Sequence, residues 1–400
     1  MKKKIALSIL LAATVSSLFA STLFSGETGI QANFSNSKIS KFDPALNFDV
    51  FFAGQFSLSN ALSVRGELSL ETSDTYKSGP FTDTDSVFRI DEVSTSYVKA
   101  FGGFTHTLSM FLGYFETIGS QQFIKRQLGV QDFSSPVTVS YLGLNGGNVY
   151  SVFGFGGAYA LKFNDLPIST GFVISRNNEN EDDVAQLNID WRFASSFRYF
   201  TIDLLAGIGA PLYTRDQKNN KIVLLIDTLY FHTGFDMLIG NRYSSSLFMQ
   251  CGFEYLPIKS SSKSKEIEAR DIYLLLEPRI VIKDLRLYLT AFSIPEEKIE
   301  KMSFIDDTLG INFAFFTNGL YTRNRDYSAG INWTVSFEGK NFKDITDTDL
   351  IDVMNIKVAP YVDISTMGGK LTLMFQANVT KFMGNDGDAM KLNIGYKKEL

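Results

Sequence analysis

Charged side chains recur at alternate positions in segments whose other positions are apolar. Asp190 and Arg192, for example, alternate with Ile189, Trp191 and Phe193. Successive side chains of a β-strand point to opposite faces, so such a segment has one apolar face and one charged face. Mixed charge gathered on one face predicts either a water-filled interior or an interior closed by ion pairs. Ten residues share this placement: Arg65, Glu67, Glu71, Asp190, Arg192, Asp203, Glu254, Glu277, Arg279 and Asp363.

The sequence contains few residues suited to acid–base or nucleophilic catalysis. His106 and His232 are the only histidines, and a serine nucleophile needs such a base. His106 stands between Thr105 and Thr107, and His232 faces opposite Phe231, so both are interpreted as incidental polar residues. Metal-ligand spacing and glycine-rich phosphate motifs are absent from the sequence. We therefore predict no catalytic residue, no metal site and no cofactor, and a protein that is not an enzyme.

The segment Tyr327–Glu338 shows most clearly the kind of element that carries the alternating charges, a β-strand with one apolar and one polar face. Tyr327, Trp333 and Phe337 fall on its apolar parity, and Asn332 falls on its polar parity. Its length is close to the ~9–11 residues that a tilted strand needs to cross a bilayer. Aromatic residues at both ends of the apolar face are typical of strands that meet both membrane interfaces.

Bulk composition agrees with membrane-spanning strands. The chain has 36 Phe, 17 Tyr and 31 Gly but only 9 Pro. After the N-terminus no apolar run approaches the ~18 residues of a helical span. The single cysteine, Cys251, excludes an intramolecular disulfide framework and falls on the apolar, lipid-facing parity of its segment.

The N-terminus has the pattern of an export signal. Lys2 to Lys4 precede an apolar run from Ile5 to Phe19, and Ala20-Ser21 offers a small-residue cleavage point. We expect residues 1–20 to be a signal peptide and residues 21–400 to form one domain. Removing the three lysines changes the formal net charge from −5 to −8.

Tight turns alternate with longer polar segments along the chain. Turns are predicted at Asn60, Gly102-Gly103 and Lys283-Asp284, and long loops at Thr72–Ser86 and Gly339–Asp352. The alternation predicts 16 to 18 strands.

Three segments are less regular. Phe115–Pro136 is too long for a hairpin turn and carries Lys125 and Arg126 beside apolar residues, which is typical of a functional loop. Val137, Val139 and Tyr141 predict that the strand pattern resumes there. Ile222–Tyr230 fits a strand or a short buried helix.

This organisation resembles that of Gram-negative outer-membrane porins over nearly all of Ser21–Leu400. The resemblance implies an all-β fold, a transmembrane antiparallel up-and-down β-barrel of about 16–18 strands, often assembled as a homotrimer. It also implies that one long loop folds inward to narrow the pore. The chain departs from porins at its end, where Lys397–Leu400 follow Tyr396 although porins usually finish on an aromatic residue.

The function that follows is a channel of the bacterial outer membrane for passive diffusion of small hydrophilic solutes. Its expected partners are membrane lipid and solutes or ions, without nucleic acid. Seven of the ten charged candidates are acidic, which predicts a weak cation preference. If Phe115–Pro136 folds into the lumen, however, Lys125 and Arg126 form a positive constriction that reverses this preference.

Two other functions fit the same pattern. A surface-exposed adhesin or binding barrel would use the long loops Thr72–Ser86 and Gly339–Asp352. A plugged barrel, whose interior charges are paired, would conduct no solute. Single-channel conductance separates these functions from a pore.

Overall fold

The computed structural model describes residues 23–36, 43–77, 79, 86–138, 149–150, 152–178, 185–214, 222–224, 229–257, 271–299, 302, 304–317, 326–339, 354–380 and 389–400. The predicted signal peptide and nearly all of the loop Gly339–Asp352 lie outside these ranges, so both stay predictions.

Nineteen strands and two short helices occur within the described residues. The strands are β1 (Leu23–Asn36), β2 (Pro44–Ser57), β3 (Leu62–Glu71), β4 (Val87–Phe101), β5 (Phe104–Tyr114), β6 (Phe153–Phe163), β7 (Ile168–Asn177), β8 (Gln186–Phe197), β9 (Phe200–Thr214), β10 (Ile222–Leu224), β11 (Tyr230–Gly240), β12 (Ser246–Pro257), β13 (Tyr273–Ile282), β14 (Leu285–Ser293), β15 (Leu309–Thr317), β16 (Tyr327–Phe337), β17 (Met354–Thr366), β18 (Gly369–Asn378) and β19 (Met390–Glu399). The helices are α1 (Gln122–Leu128) and α2 (Glu296–Ile299). No helix in the described ranges is long and apolar enough to cross a membrane.

The strands form one closed antiparallel barrel. Each strand of the wall pairs with its neighbours in sequence, and β1 pairs with both β2 and β19. The three residues of β10 pair only with Leu212–Thr214 at the end of β9, while β9 pairs with β11 along most of its length. The wall therefore has 18 strands, which confirms the predicted up-and-down barrel. It also shows that Ile222–Leu224 is a short strand and that Tyr230 begins the next wall strand.

Alternation of side chains sets the two faces of the wall. In β16, Trp333 is 53% exposed and the adjacent Asn332 is 1% exposed. Trp333 lies opposite Phe313 of β15, and Asn312 lies opposite Thr334. Apolar residues thus meet their cross-strand neighbours on the outer face, and polar residues meet theirs on the inner face. This is the arrangement predicted from the sequence of Tyr327–Glu338.

The two ends of the barrel differ in their connections. At one end, here called the short-turn end, most hairpins close within a few residues. Gly102 and Gly103 there have φ angles of 62° and 81°, the backbone of a two-residue hairpin turn that most other residues cannot adopt without strain. At the opposite, long-loop end lie the connections after β3, β5 and β14. The predicted rhythm of short turns and long loops is confirmed.

The outer face generates the first prediction. Trp333→Arg should lower the free energy of unfolding in lipid by ~2–4 kcal/mol, because it places a cation against mid-bilayer hydrocarbon. Urea unfolding of the barrel in vesicles measures this loss. Glu338→Arg, at an exposed position just after β16, is the control and should change stability by less than ~0.5 kcal/mol. Equal losses in the two variants would show that Trp333 does not face lipid.

Candidate functional site in the barrel interior

The connection after β5 folds into the barrel. We call residues 115–138, 149–150 and 152 the inner segment. Its apolar side chains are buried against inward-facing residues of β9, β11, β12, β13 and β14. The segment contributes Ile118, Phe123, Ile124, Val130, Phe133, Val137, Val149 and Tyr150, and the wall contributes Leu205, Leu238, Phe248, Tyr273, Leu275 and Phe292. The inner segment covers the apolar residues on the inner face of these strands, which explains why apolar residues occur there.

The inner segment differs from the sequence-based expectation in two ways. Its middle forms the helix α1, which ends at Gly129, where a φ of 67° lets the backbone N–H donate to the carbonyl of Lys125. The strand predicted at Val137, Val139 and Tyr141 is wrong at its start. Val137 lies in a turn and is fully buried in the interior cluster. Residues 139 and 141 lie outside the described ranges.

The inner segment reaches the short-turn end of the barrel. Arg242 and Tyr243, in the turn between β11 and β12, donate hydrogen bonds of 2.8 Å to the carbonyl and side chain of Gln131. Further along the segment, the carbonyl of Ser134 accepts a hydrogen bond of 3.1 Å from Arg279 of β13. The next residue, Ser135, donates to the Glu277 carboxylate. The segment thus extends along much of the barrel height and occupies the part of the interior next to β8–β14.

Four of the ten predicted lumen residues lie in buried ion pairs under the inner segment, and a fifth, Asp190, lies beside a buried histidine. Arg192 donates to Asp203 at 2.8 Å and to the carbonyl of Glu116. Arg279 donates to Glu277 at 2.7 Å. Asp190 lies 2.5 Å from the ring of His232. None of these residues is more than 6% exposed, so they face inward as predicted but do not face water. A buried pair keeps its charges only because each partner compensates the other.

The other predicted lumen residues are paired as well. Glu71 pairs with Arg89, Asp363 with Lys370 at 3.4 Å, and Glu254 with Lys298 at 2.5 Å. Lys298 belongs to α2, so Glu254 lies beneath a second loop that folds inward. Arg65 and Glu67 pair with each other on β3. The structure therefore places all ten candidates on the inner face and gives every one an oppositely charged partner or, for Asp190, a histidine.

Lys125 and Arg126 both belong to α1 but have different surroundings. Lys125 is exposed and pairs with Asp132 of the same segment at 3.5 Å. Arg126 donates to the two carboxylate oxygens of Glu92 at 2.7 and 2.9 Å and to Glu116 at 3.4 Å. Arg126 therefore joins the inner segment to the wall at β4, whereas Lys125 does not.

Glu92 is the centre of a group that we call the ion-pair cluster, namely Arg65, Glu67, Glu92, Glu116 and Arg126. Besides Arg126, Glu92 accepts a bond of 2.5 Å from Ser94 and lies 3.6 Å from Arg65. Three carboxylates thus share two guanidinium groups. When all five groups are ionised the cluster has a net charge of −1.

Burial changes the titration of Glu116, the carboxylate that the inner segment contributes to this cluster. Glu116 follows β5, outside the wall strands, and is 6% exposed. Its burial raises the pKa of the carboxyl group, and the nearby cations Arg126 and Arg192 oppose this shift. Glu116 therefore binds its proton at a higher pH than an ordinary glutamate does, and its protonation removes one negative charge from the cluster.

Sequence reasoning missed Glu92 and Glu116. The register of β3 and β4 shifts after Glu67, so that Glu67 lies opposite Glu92 but Leu68 lies opposite Ile90. The extra residue at this bulge, Asp91, is buried together with Glu92, and strict alternation fails there. Two consecutive acids inside a strand pattern are the signal that could have identified the bulge.

A polar cavity lies between the inner segment and the wall formed by β19 and β1 to β6. Its volume is about 730 Å³, and its wall residues come from the half of each strand next to the short-turn end. Hydroxyl groups line β3, β4 and β5, namely Ser63, Ser94, Ser96, Thr105, Thr107 and Ser109. The charged lining residues are Arg65, Lys125, Arg126, Lys162, Lys397, Glu27, Glu116 and Asp132. Such a surface is compatible with water and small hydrophilic solutes.

The two histidines lie on opposite faces of the wall. His106 is on the outer face and lies 2.7 Å from the hydroxyl of Tyr159. His232 is buried and stacks on Tyr150 at 4.2 Å between ring centroids, so with Asp190 it holds the end of the inner segment. Within the described ranges no three His, Cys, Asp or Glu residues are grouped to hold a metal ion. The prediction that the chain is not an enzyme stays a prediction.

The fold is similar to that of solved bacterial outer-membrane proteins. OmpF of Salmonella typhi, in complex with daunomycin, matches at 11% identity and a TM-score of 0.41, covering 95% of this chain and 97% of that one. A triple mutant of the Rhodopseudomonas blastica porin matches at 7% identity and a TM-score of 0.43, covering 95% and 100%. A loop-deletion mutant of OmpT, an outer membrane protein of Vibrio cholerae, matches at 9% and 0.40, covering 95% and 99%. No protein-family model matches the sequence, and the comparison with curated proteins finds no match.

These likenesses concern the barrel alone. The closed antiparallel barrel of 18 strands confirms the porin-like organisation expected from the sequence, and what the barrel does has to be argued from its own residues.

The packing of α1 generates the second prediction. Phe123 is 1% exposed and lies under the guanidinium of Arg192, 4.6 Å from its ring centroid. Phe123→Ala should weaken the packing of the inner segment by ~3–5 kcal/mol, because the wall cannot collapse into the space left behind. Amide hydrogen exchange should then become faster throughout α1. Leu166→Ala, in an exposed turn, is the control, and equal exchange in both variants would contradict the packing.

Proposed function

We propose that the chain is a channel of the bacterial outer membrane through which small hydrophilic solutes diffuse. The observation that carries this proposal is the contrast between the two faces of the closed wall. Large apolar side chains such as Trp333, Phe155 and Phe172 are about half exposed on the outer face, whereas the inner face borders a cavity lined with hydroxyl and charged groups. An apolar outer band around a polar interior is the arrangement of a transmembrane barrel.

Localisation and assembly are parts of the same proposal. The N-terminal residues 1–20 support export, and the apolar outer face supports contact with membrane lipid. Assembly as a homotrimer follows from the resemblance to porins. A barrel of 18 strands is too wide for its own side chains to fill, and the inner segment fills one part of it and leaves the polar cavity beside another.

Conductance measurements test this function. Purified protein inserted into planar bilayers should give stepwise currents, and detergent-solubilised protein should migrate differently on a gel before and after heating, as closed barrels do. The control is the same preparation after heating. If the protein gives no current in bilayers but keeps its heat-modifiable migration, the result would instead favour the adhesin or the plugged barrel.

Weak cation preference is the finer part of the proposal. Its support is the ion-pair cluster, in which Glu67, Glu92 and Glu116 exceed Arg65 and Arg126 by one charge. The cavity next to the cluster opposes this preference, because five basic and three acidic residues line it. Because fixed charge acts on ions most strongly where the passage is narrowest, the cluster should decide the sign.

Reversal potentials in asymmetric salt measure this preference. The native chain should favour cations slightly, and a Lys125→Ala/Arg126→Ala double variant should favour them more, because it removes two positive charges from the passage. The preference should decrease as salt increases, since ions screen fixed charge over ~8–10 Å. Anion preference in the native chain that is lost in the double variant would overturn the cation prediction and identify Lys125 and Arg126 as a positive constriction.

A further inference from the structure

We propose that the ion pair between Arg126 of the inner segment and Glu92 of the wall is a gate that closes the passage in this conformation. This inference rests on the proposed channel function and concerns its regulation. Opening requires only that the link between α1 and β4 be released, while the rest of the inner segment stays packed.

The first support is where the cavity ends. On β3 it includes Ser63 and Arg65, and on β4 it includes Ser96 and Ser94. The next inward residues of these strands toward the long-loop end are Glu67 and Glu92. Both border no part of the cavity and are only 3% and 1% exposed. The cavity therefore stops at the level of the ion-pair cluster.

The second support is how the cluster connects the two sides of the passage. Arg126 and Arg65 are 21% and 25% exposed at their side chains, whereas Glu92 is 1% exposed. The two guanidinium groups thus face the cavity, one from the inner segment and one from the wall, and cover the carboxylate between them. Glu92 binds both, at 2.7 Å and 3.6 Å.

The third support is the asymmetry of the contacts of α1. On one side, Phe123 and Ile124 are fully buried in the apolar cluster that fixes the segment to the wall. On the other side, Arg126 donates to the Glu92 carboxylate of the wall, and within the inner segment its guanidinium carbon lies 5.1 Å from the ring of Phe115. An arginine side chain is long and flexible, so it can leave Glu92 without moving the apolar anchor.

Neutralising either partner tests the gate. Arg126→Gln and Glu92→Gln should each increase the open conductance, or the fraction of time spent open, several-fold over the native chain in planar bilayers. The two substitutions change the charge of the passage in opposite directions. A shared increase therefore reports the loss of the link and not a change in ion concentration.

Lys298→Gln is the matched control. It removes another ion pair between a loop helix and the wall, Lys298 with Glu254 at 2.5 Å, which does not border the cavity. Its currents should equal those of the native chain. Heat-modifiable migration verifies that each variant forms a barrel.

A cross-link makes the test independent of charge. In a Cys251→Ser background, Glu92→Cys/Arg126→Cys should conduct like the single variants. A short bifunctional thiol reagent should return it to the native current, and reductive cleavage of the reagent should restore the higher current of the uncross-linked variant.

Outcomes separate the gate from the channel. Unchanged currents in Arg126→Gln and Glu92→Gln, or opposite changes in the two, would overturn the gate and leave the channel standing. If the native chain and both variants form barrels but conduct nothing, the proposed channel function itself fails.

Discussion

The barrel depends on one constraint, that every backbone N–H and C=O in the wall must find a partner within the protein. Hydrocarbon offers no hydrogen bonds, so an unpaired strand edge would cost several kcal/mol for each exposed group. Here the first and last strands remove both edges by pairing from Glu27–Glu399 to Asn36–Met390. Closure in turn fixes which face of each strand is inside, and a shift of one residue in the pairing of a strand would turn its lipid-facing apolar side chains inward.

Closure also creates the problem that the inner segment solves. A wall of 18 strands encloses more space than its own side chains can fill. Phe248, Leu275 and Phe292 point into that space and would meet water if nothing covered them. The inner segment supplies apolar partners there and leaves the hydroxyl-lined wall of β3–β5 beside the cavity. The interior is thus divided by the sequence of its wall into a packed part and a wet part.

The wall could be predicted from the sequence because its signal is local and repeated. Trp333 and Asn332 lie on the faces that their parity predicts, and Cys251 lies on the apolar face as expected. Val137 misled the same reasoning, since a buried loop in a wide barrel can be as apolar as a strand. Glu92 was missed because a bulge changes the parity of β4 within one residue. Such exceptions depend on contacts between segments that are far apart in the sequence, and the periodicity of one segment does not reveal those contacts.

The charges on the inner face show the same limit of reasoning from sequence alone. Counting acids and bases on the inner parity treats Asp203 and Glu67 alike, yet Asp203 is fully buried against Arg192 and Glu67 belongs to the ion-pair cluster. A charge compensated at 2.8 Å and shielded from water has little influence beyond its pair, whereas the ion-pair cluster holds three carboxylates against two guanidinium groups. The influence of each group is therefore set by its partner and its distance from water. Both properties arise because the inner segment brings Arg126 and Glu116 to a wall strand that precedes them in the chain.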